Sequence, residues 1–251
     1  MPELPEVETT RAGIEPHLLG QTVAAVEIRQ PRLRWPIDPK LPRLLKQQRI
    51  EQVGRRGKYI LIQVGDGTLI LHLGMSGSLR ITDPTLPMRK HDHAVMTLSG
   101  GKQLRLHDPR RFGALLWWEG DPADHPLLAK LGPEPLAPDF DGAYLHNASR
   151  QRRVSIKPFI MNSQVVVGVG NIYANEALFL AGIHPGRSAG RISRQRHDKL
   201  ATSIQQVLRK AIRYGGSTLR DFVREDGQPG YFSQHLHVYD RAGEACSRCG
   251  T

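Results

Sequence analysis

The sequence predicts an α+β protein of two domains: an N-terminal β-sandwich with flanking helices, followed by a helical domain. Three observations carry this prediction. From Thr22 to about Trp118, apolar and polar residues alternate with a period of two, in eight short runs separated by turn residues. Beyond about Asp141 the apolar spacing lengthens to the three-to-four of helices. Between the two patterns, Leu131-Gly132-Pro133-Glu134-Pro135-Leu136-Ala137-Pro138 is too proline-rich to continue either. The expected division is a sandwich over residues 1–130, a linking region over 131–150, a helical domain over 151–232 and a hairpin over 233–251.

The elements follow in order. Pro5 to Leu19 reads as a helix with Val7, Ile14 and Leu18 on one side, stopped by Gly20. The strand candidates are Val23–Arg29, Arg49–Val53, Tyr59–Val64, Thr68–Leu73, Leu79–Thr82, Ala94–Leu98, Gln103–Leu106 and Ala114–Trp118. Gly65-Asp66-Gly67 and Ser99-Gly100-Gly101-Lys102 supply hairpin turns. Helices are expected over Asp141–Ala148, Lys157–Met161, Asn171–Ala181 and Ser193–Tyr214. In the last, Leu200, Ile204, Leu208 and Ala211 form a core-facing stripe, and Gly215-Gly216 ends it. The tail Tyr231–Thr251 reads as short strands turning at Arg241-Ala242-Gly243-Glu244.

Charge narrows the partner. The chain carries a formal net charge of +11 and a sequence pI of about 10.0, which suits a polyanion. A membrane is the competing polyanion, but no apolar run is long enough to span a bilayer and the N-terminus has no basic and apolar leader pattern. With Cys246 and Cys249 as the only cysteines there is no disulfide framework, and a cytoplasmic setting is expected.

The opening residues Met1-Pro2-Glu3-Leu4-Pro5-Glu6-Val7-Glu8 carry chemistry. Removal of Met1 leaves a secondary amine at Pro2, with carboxylates one and four residues on. An amine beside acid/base groups is equipment for Schiff-base chemistry on a sugar carbon. A prolyl adduct has no second proton to lose, so it stays a cationic iminium that drives elimination. The structural alternative is a helix start, with Pro2 and Pro5 pre-set for it and Glu3, Glu6 and Glu8 near its positive end.

The blocks MPELPEVET, GRRGKYI, LHLGMSGSLR, KHDH, HDPRRFGA, LGPEPL, VVVGVGNIYANEALF and GGSTLRDF…DGQPGYF run in one order from residue 1 to about 250. In that order they resemble the formamidopyrimidine-DNA glycosylase family. The resemblance implies a bilobal repair enzyme: a β-sandwich, and a helical domain with a helix–two-turn–helix element and a zinc-finger hairpin. It implies double-stranded DNA with oxidised bases or abasic sites held between the lobes. Oxidised purines, chiefly 8-oxoguanine and formamidopyrimidines, would be excised and the strand then cut by β,δ-elimination. A monomer associated with the bacterial nucleoid is expected.

By resemblance, Pro2 attacks C1′, Glu3 protonates the opening deoxyribose, Glu6 supports the site and Lys58 contacts the lesion nucleotide or its phosphate. Alone, Lys58 reads as an ordinary strand-end lysine beside Arg55 and Arg56. A base must leave the stack before its glycosidic bond is reached, and the gap needs a wedge. Met75, between glycines in Gly74-Met75-Ser76-Gly77, matches one inserted residue; Arg110 and Phe112 match the other two. Gly168-Val169-Gly170-Asn171 opens a helix, whose free N–H groups suit an anion, and the family uses the asparagine matching Asn171 on the DNA backbone. His72, His91 and Arg111 are further phosphate candidates; isolated histidines are more often structural. Gly216–Gly230 matches the loop that caps the flipped base, with Ser217, Thr218 and Arg220 nearest it.

Two departures stand out. The family's zinc site joins two CxxC pairs, one zinc per chain, with an arginine between them that reaches phosphate. Here Cys246-Ser247-Arg248-Cys249 is followed only by Gly250-Thr251, so the site is incomplete, the sequence reads as truncated within the finger, and no stoichiometric zinc is expected. Asn162 stands where the resemblance implies aspartate. Two other readings stay open: an endonuclease VIII-like glycosylase for oxidised pyrimidines, against which the Met75, Arg110, Phe112 set argues, and a non-catalytic binder of damaged DNA, which retained Met1 and a missing half-finger would favour.

Overall fold

The computed structural model describes residues 2–217 and 230–251. Helix α1 (Leu4–Leu18) precedes strand β1 (Val23–Ile28) and a short helix α2 (Leu41–Leu45). Seven strands follow: β2 (Ile50–Arg56), β3 (Tyr59–Val64), β4 (Gly67–His72), β5 (Ser78–Thr82), β6 (Asp92–Leu98), β7 (Gln103–His107) and β8 (Ala114–Glu119). Helices α3 (Gly142–Ser149), α4 (Ile156–Met161), α5 (Asn171–Ala181) and α6 (Arg194–Arg213) complete the chain. No described helix is long and apolar enough to cross a membrane.

The strands form two antiparallel four-stranded sheets, ordered β1-β6-β7-β5 and β2-β3-β4-β8. Their inner faces share one apolar core, with Ile60 and Ile62 from one sheet, Met96 and Leu104 from the other, and Val7, Ile14 and Leu18 from α1. This is the expected sandwich. Pairing register decides where the functional loops emerge. Tyr59 pairs with His72, and His72 with Ala114, across one end of the second sheet. In the first sheet, Ser78 and Asp92 both pair with His107. The β2–β3 turn, the β4–β5 crossing and the β7–β8 crossing therefore leave from a common rim. Those three connections carry Lys58, Met75 and Arg110–Phe112.

A second core belongs to the helices, where Leu200, Ile204, Leu208 and Ala211 of α6 are all buried, as their spacing predicts. Phe140 and Leu145 are buried in the same core, so part of the stretch read as a linking region is packed helical domain. Helix α1 packs against both β2 and α6 and sits at the junction of the lobes.

One expectation is corrected, and one short helix was missed. The tail contains no strand ladder among the described residues; it has a 3-10 turn at Phe232–His235 and further turns. Its backbone is held by Glu176 of α5, whose buried carboxylate accepts from the N–H groups of His237, Val238 and Tyr239 at 2.8, 2.9 and 3.0 Å. A buried anion fed by three successive amides replaces a ladder in satisfying this backbone. Helix α2 escaped the sequence reading because five residues are too few to display a period.

Candidate active site and nucleic-acid interface

The site begins where α1 meets α5. Pro2 is buried, and Glu3 caps α1 in a reciprocal capping box, with the Glu6 carboxylate accepting from the Glu3 N–H at 2.8 Å. The Glu3 carboxylate reaches across the lobes to the start of α5. It accepts from the N–H groups of Gly170 and Ile172 at 2.7 and 2.9 Å, with that of Tyr173 at 3.5 Å. The Leu4 N–H donates back to the Gly168 carbonyl at 3.0 Å. Only glycine fits at 170, because a Cβ there would lie 2.5 Å from Glu3 Oε1. This corrects the reading of Gly168–Asn171 as a phosphate cradle: the anion at this helix start is the protein's own carboxylate. The Asn171 side chain is exposed, with no hydrogen-bond partner among the described residues, and it faces no such competition.

Both carboxyls are buried. Burial pushes the Glu3 carboxyl above its ordinary value, against the opposing pull of Lys58 and the α5 amides. Glu6 is pushed up to about 7, first by burial and then by the negative charge of Glu3. Glu6 has three donors: the Glu3 N–H, the Tyr173 hydroxyl at 2.5 Å and the Ser217 N–H at 2.8 Å. The Tyr173 hydroxyl also lies 3.2 Å from Ser217 Oγ, and its own pKa is driven well up by burial and by Glu6. Ser217 is thus tied to the carboxylate end of the site. Thr218 and Arg220 lie outside the described residues.

Lys58 lies on the β2–β3 turn, where burial lowers its pKa and Glu3 and Glu6 oppose the fall. Sequence reading missed what holds that turn. The Glu134 carboxylate accepts from Arg55 at 2.8 Å, Arg56 at 3.1 Å and the Gly57 N–H at 2.7 Å, and Arg55 also pairs with Glu8 at 2.8 Å. The signal was present in LGPEPL, an acid amid prolines, and in the arginine pair preceding Lys58. Lys58, His72, Met161, Gln164 and Gly168 line a cavity of about 350 Å³ between the lobes. The His72 Nδ1 accepts from the Gly74 N–H at 2.9 Å, so Nε2 carries the proton. Burial, and next Lys58, lowers its pKa to about 4. His72 is therefore a neutral donor, not a cation.

Met75 and Phe112 are exposed at 38% and 45%, unusual for large apolar side chains and apt for wedges. With His72 and Arg111 they line one cavity of about 600 Å³. The Arg110 guanidinium stacks 4.8 Å over the Phe112 ring. Fully buried Asp108, absent from the sequence-derived set, joins the two loops: it accepts from Ser76 Oγ at 3.0 Å and from the Gly113 N–H at 2.8 Å. Arg111 adopts φ 56°, a left-handed backbone that holds local strain. His91 packs 5.9 Å from His93 and 6.0 Å from His107, beside this loop but apart from the carboxylates.

A family profile described as the formamidopyrimidine-DNA glycosylase N-terminal domain matches residues 1–115, and one described as its H2TH domain matches 131–223. The chain belongs to the formamidopyrimidine-DNA glycosylase family. The formamidopyrimidine-DNA glycosylase of Thioalkalivibrio sulfidiphilus is 62% identical over 251 residues, covering 100% of this chain and 93% of that one. A Lactococcus lactis FPG variant in complex with Fapy-dG-containing DNA superposes with a TM-score of 0.92 at 36% identity, covering 100% of this chain and 92% of the other. The Lactococcus lactis Fpg complexed with abasic-site DNA gives 0.91 at 36% identity, covering 99% and 92%. The fold, the membership among DNA glycosylases and the association with DNA repair follow from the family.

Cys246 and Cys249 lie in the tail, partly and fully exposed. They offer two thiolates, and no group of three or more metal-ligating side chains occurs among the described residues. A tetrahedral zinc needs four donors, so these residues do not fit the family's metal by themselves. Asn162 Oδ1 accepts from the Gln164 N–H at 3.0 Å, an acceptor role that an amide fills as well as a carboxylate.

Tyr173→Phe tests the carboxylate arrangement. The Tyr173 hydroxyl favours ionised Glu6, so its loss raises the Glu6 pKa above about 7. A raised carboxyl contributes its stability below the unfolded value and loses it as pH climbs through the folded one. The variant should therefore lose about 1.5–3 kcal/mol at pH 8, where the bond is to a charged group, and about half of that or less at pH 5. Chemical denaturation at the two pH values measures this; a loss independent of pH would contradict it.

Proposed function

We propose that the chain excises oxidised purines, 8-oxoguanine and formamidopyrimidines, and cuts the resulting abasic strand through the Pro2 amine. The observation that carries this reading is the pairing of Pro2 with a carboxyl anchored on the α5 N-terminus, near enough to Lys58 for the two charges to act on each other. Removal of Met1 frees the Pro2 nitrogen. Its lone pair attacks C1′, and the base departs with the glycosidic electrons. Glu3, whose carboxyl burial pushes above its ordinary value, protonates O4′ as the ring opens. The C1′ iminium then accepts the electrons released by loss of a C2′ proton, and the 3′ phosphate leaves. A second proton loss, from C4′, expels the 5′ phosphate. Lys58 supplies a cation beside the phosphate, and His72 a neutral N–H. Met75, Arg110 and Phe112 fill the gap left in the duplex, Asn171, His91 and Arg111 take backbone phosphates, and Ser217 lies toward the flipped base.

Borohydride should trap a covalent complex with an 8-oxoguanine·C duplex, the DNA carried on the N-terminal peptide. An added N-terminal residue should abolish trapping. Full-yield trapping that maps to Lys58 would contradict the assignment.

The same reading extends to the metal. The 251-residue chain, with Cys246 and Cys249 its only thiols, holds no stoichiometric zinc. Elemental analysis should find well under one zinc per chain; a ratio of one would overturn this.

A further inference from the structure

Met75, Arg110 and Phe112 sit on two separate connections between strands, yet the backbones beneath them are tied together. Asp108 stands between the two, fully buried. Its Oδ1 accepts from Ser76 Oγ at 3.0 Å and its Oδ2 from the Gly113 N–H at 2.8 Å. Ser76 Oγ in turn accepts from the Arg110 N–H at 3.3 Å, so residues 76, 108, 110 and 113 form one linked set. The main chain of Asp108 reaches a third segment, the start of β6. Its N–H donates to the His91 carbonyl at 3.0 Å, and its carbonyl accepts from His93 Nε2 at 2.9 Å. This pattern explains the residue type. Each carboxylate oxygen faces a donor from a different connection, whereas an asparagine offers an acceptor on one side and a donor on the other.

The two connections also meet backbone to backbone. Gly74 adopts φ 62°, and a Cβ there would collide with the Phe112 carbonyl. A Cβ at Gly113 would lie 2.7 Å from the His72 carbonyl oxygen. The Gly77 N–H closes the first connection on the Leu73 carbonyl at 2.8 Å, and the Arg34 N–H holds the Gly113 carbonyl at 3.0 Å. Only the tips Met75, Arg110 and Phe112 are exposed. A rigid base thus carries three outward side chains.

We propose that Asp108, acting through Ser76, is a positioning residue for base extrusion: it makes Met75, Arg110 and Phe112 one preassembled wedge before DNA arrives. Ordering two loose loops at the moment of insertion would oppose extrusion by their conformational entropy, and loops already tied together carry no such cost. The same ties fix the direction of Arg110, on which any reading of the opposite base depends. Asp108 lies beneath the tips and takes no part in the amine chemistry. The inference rests on the glycosylase reading in that the wedge serves the extrusion of a damaged base.

The test uses the full chain with Asp108→Asn and Ser76→Ala, singly and together. Single-turnover base release from an 8-oxoguanine·C duplex at saturating enzyme is set beside borohydride trapping on single-stranded DNA with an abasic site. The second substrate has no base to extrude and no gap to fill. Loss of one hydrogen bond to a charged group should slow base release about tenfold in each single variant, with abasic trapping changed less than about threefold. The preference for cytosine over adenine opposite the lesion should narrow in both. Because the two residues act through one bond, the double variant should fall within about twofold of the slower single one. Equal losses on the two substrates would overturn the proposal, making Asp108 a general support of the fold. Unchanged base release in both single variants, or losses that multiply in the double, would overturn it too. A parent chain that releases no 8-oxoguanine would sink the glycosylase reading alone. The fluorescence of 2-aminopurine beside an abasic analogue in duplex DNA then decides: slower insertion in the variants supports the proposal, and equal rates overturn it.

Discussion

The rest of the structure depends on one contact, the Glu3 carboxylate seated on the amides that open α5. Residue 3 belongs to the first turn of the sandwich lobe and residues 170–173 to the helical lobe, so the contact ties the two cores together where α1 meets α5. Burying a carboxylate costs several kcal/mol, and amides at a helix N-terminus offset part of it. The offset is incomplete, which is why burial still raises the Glu3 pKa.

Around that contact the charges form a graded set. Glu6 shares the burial and feels the charge of Glu3, so it titrates near 7, while Tyr173 and two backbone amides hold it toward ionisation. Desolvation lowers the Lys58 pKa, and the same pair opposes the fall. The lysine reaches this position because Glu134 clamps the turn that carries it, a link between lobes as direct as that of Glu3. The wedge loops depend on no carboxyl of this group. They are joined separately by Asp108, which leaves Met75 and Phe112 exposed.

The periodic parts were legible in the sequence. All eight strands and the helices α1 and α3 to α6 follow from alternation, helical spacing and turn residues, since each buries a face against one core. What was not legible depends on long-range partners. Glu134 and Asp108 are ordinary acids in loops until the fold brings Arg55, Gly57, Ser76 and Gly113 to them. The α5 N-terminus was recognised as an anion site, but the anion came from 167 residues away along the chain. The tail misled for the same reason, because its amides found a side chain, Glu176, in place of a neighbouring strand. Among the sequence-derived site residues, Pro2, Glu3, Glu6, Lys58 and Ser217 converge at the junction. His72, Met75, Arg111 and Phe112 line the adjoining cavity, and His91 stands apart beside the Asp108 loop.

Gly170→Ala tests the central claim most directly. A methyl group at 170 would collide with the Glu3 carboxyl and push it off the α5 amides, while leaving every residue that faces DNA unchanged. Borohydride trapping on a pre-formed abasic duplex, measured beside equilibrium binding to the same duplex, separates the two effects. The account predicts a trapping rate lowered by at least about tenfold, equal to 1.4 kcal/mol of barrier, with affinity changed less than about threefold. A trapping rate equal to that of the parent chain would contradict it.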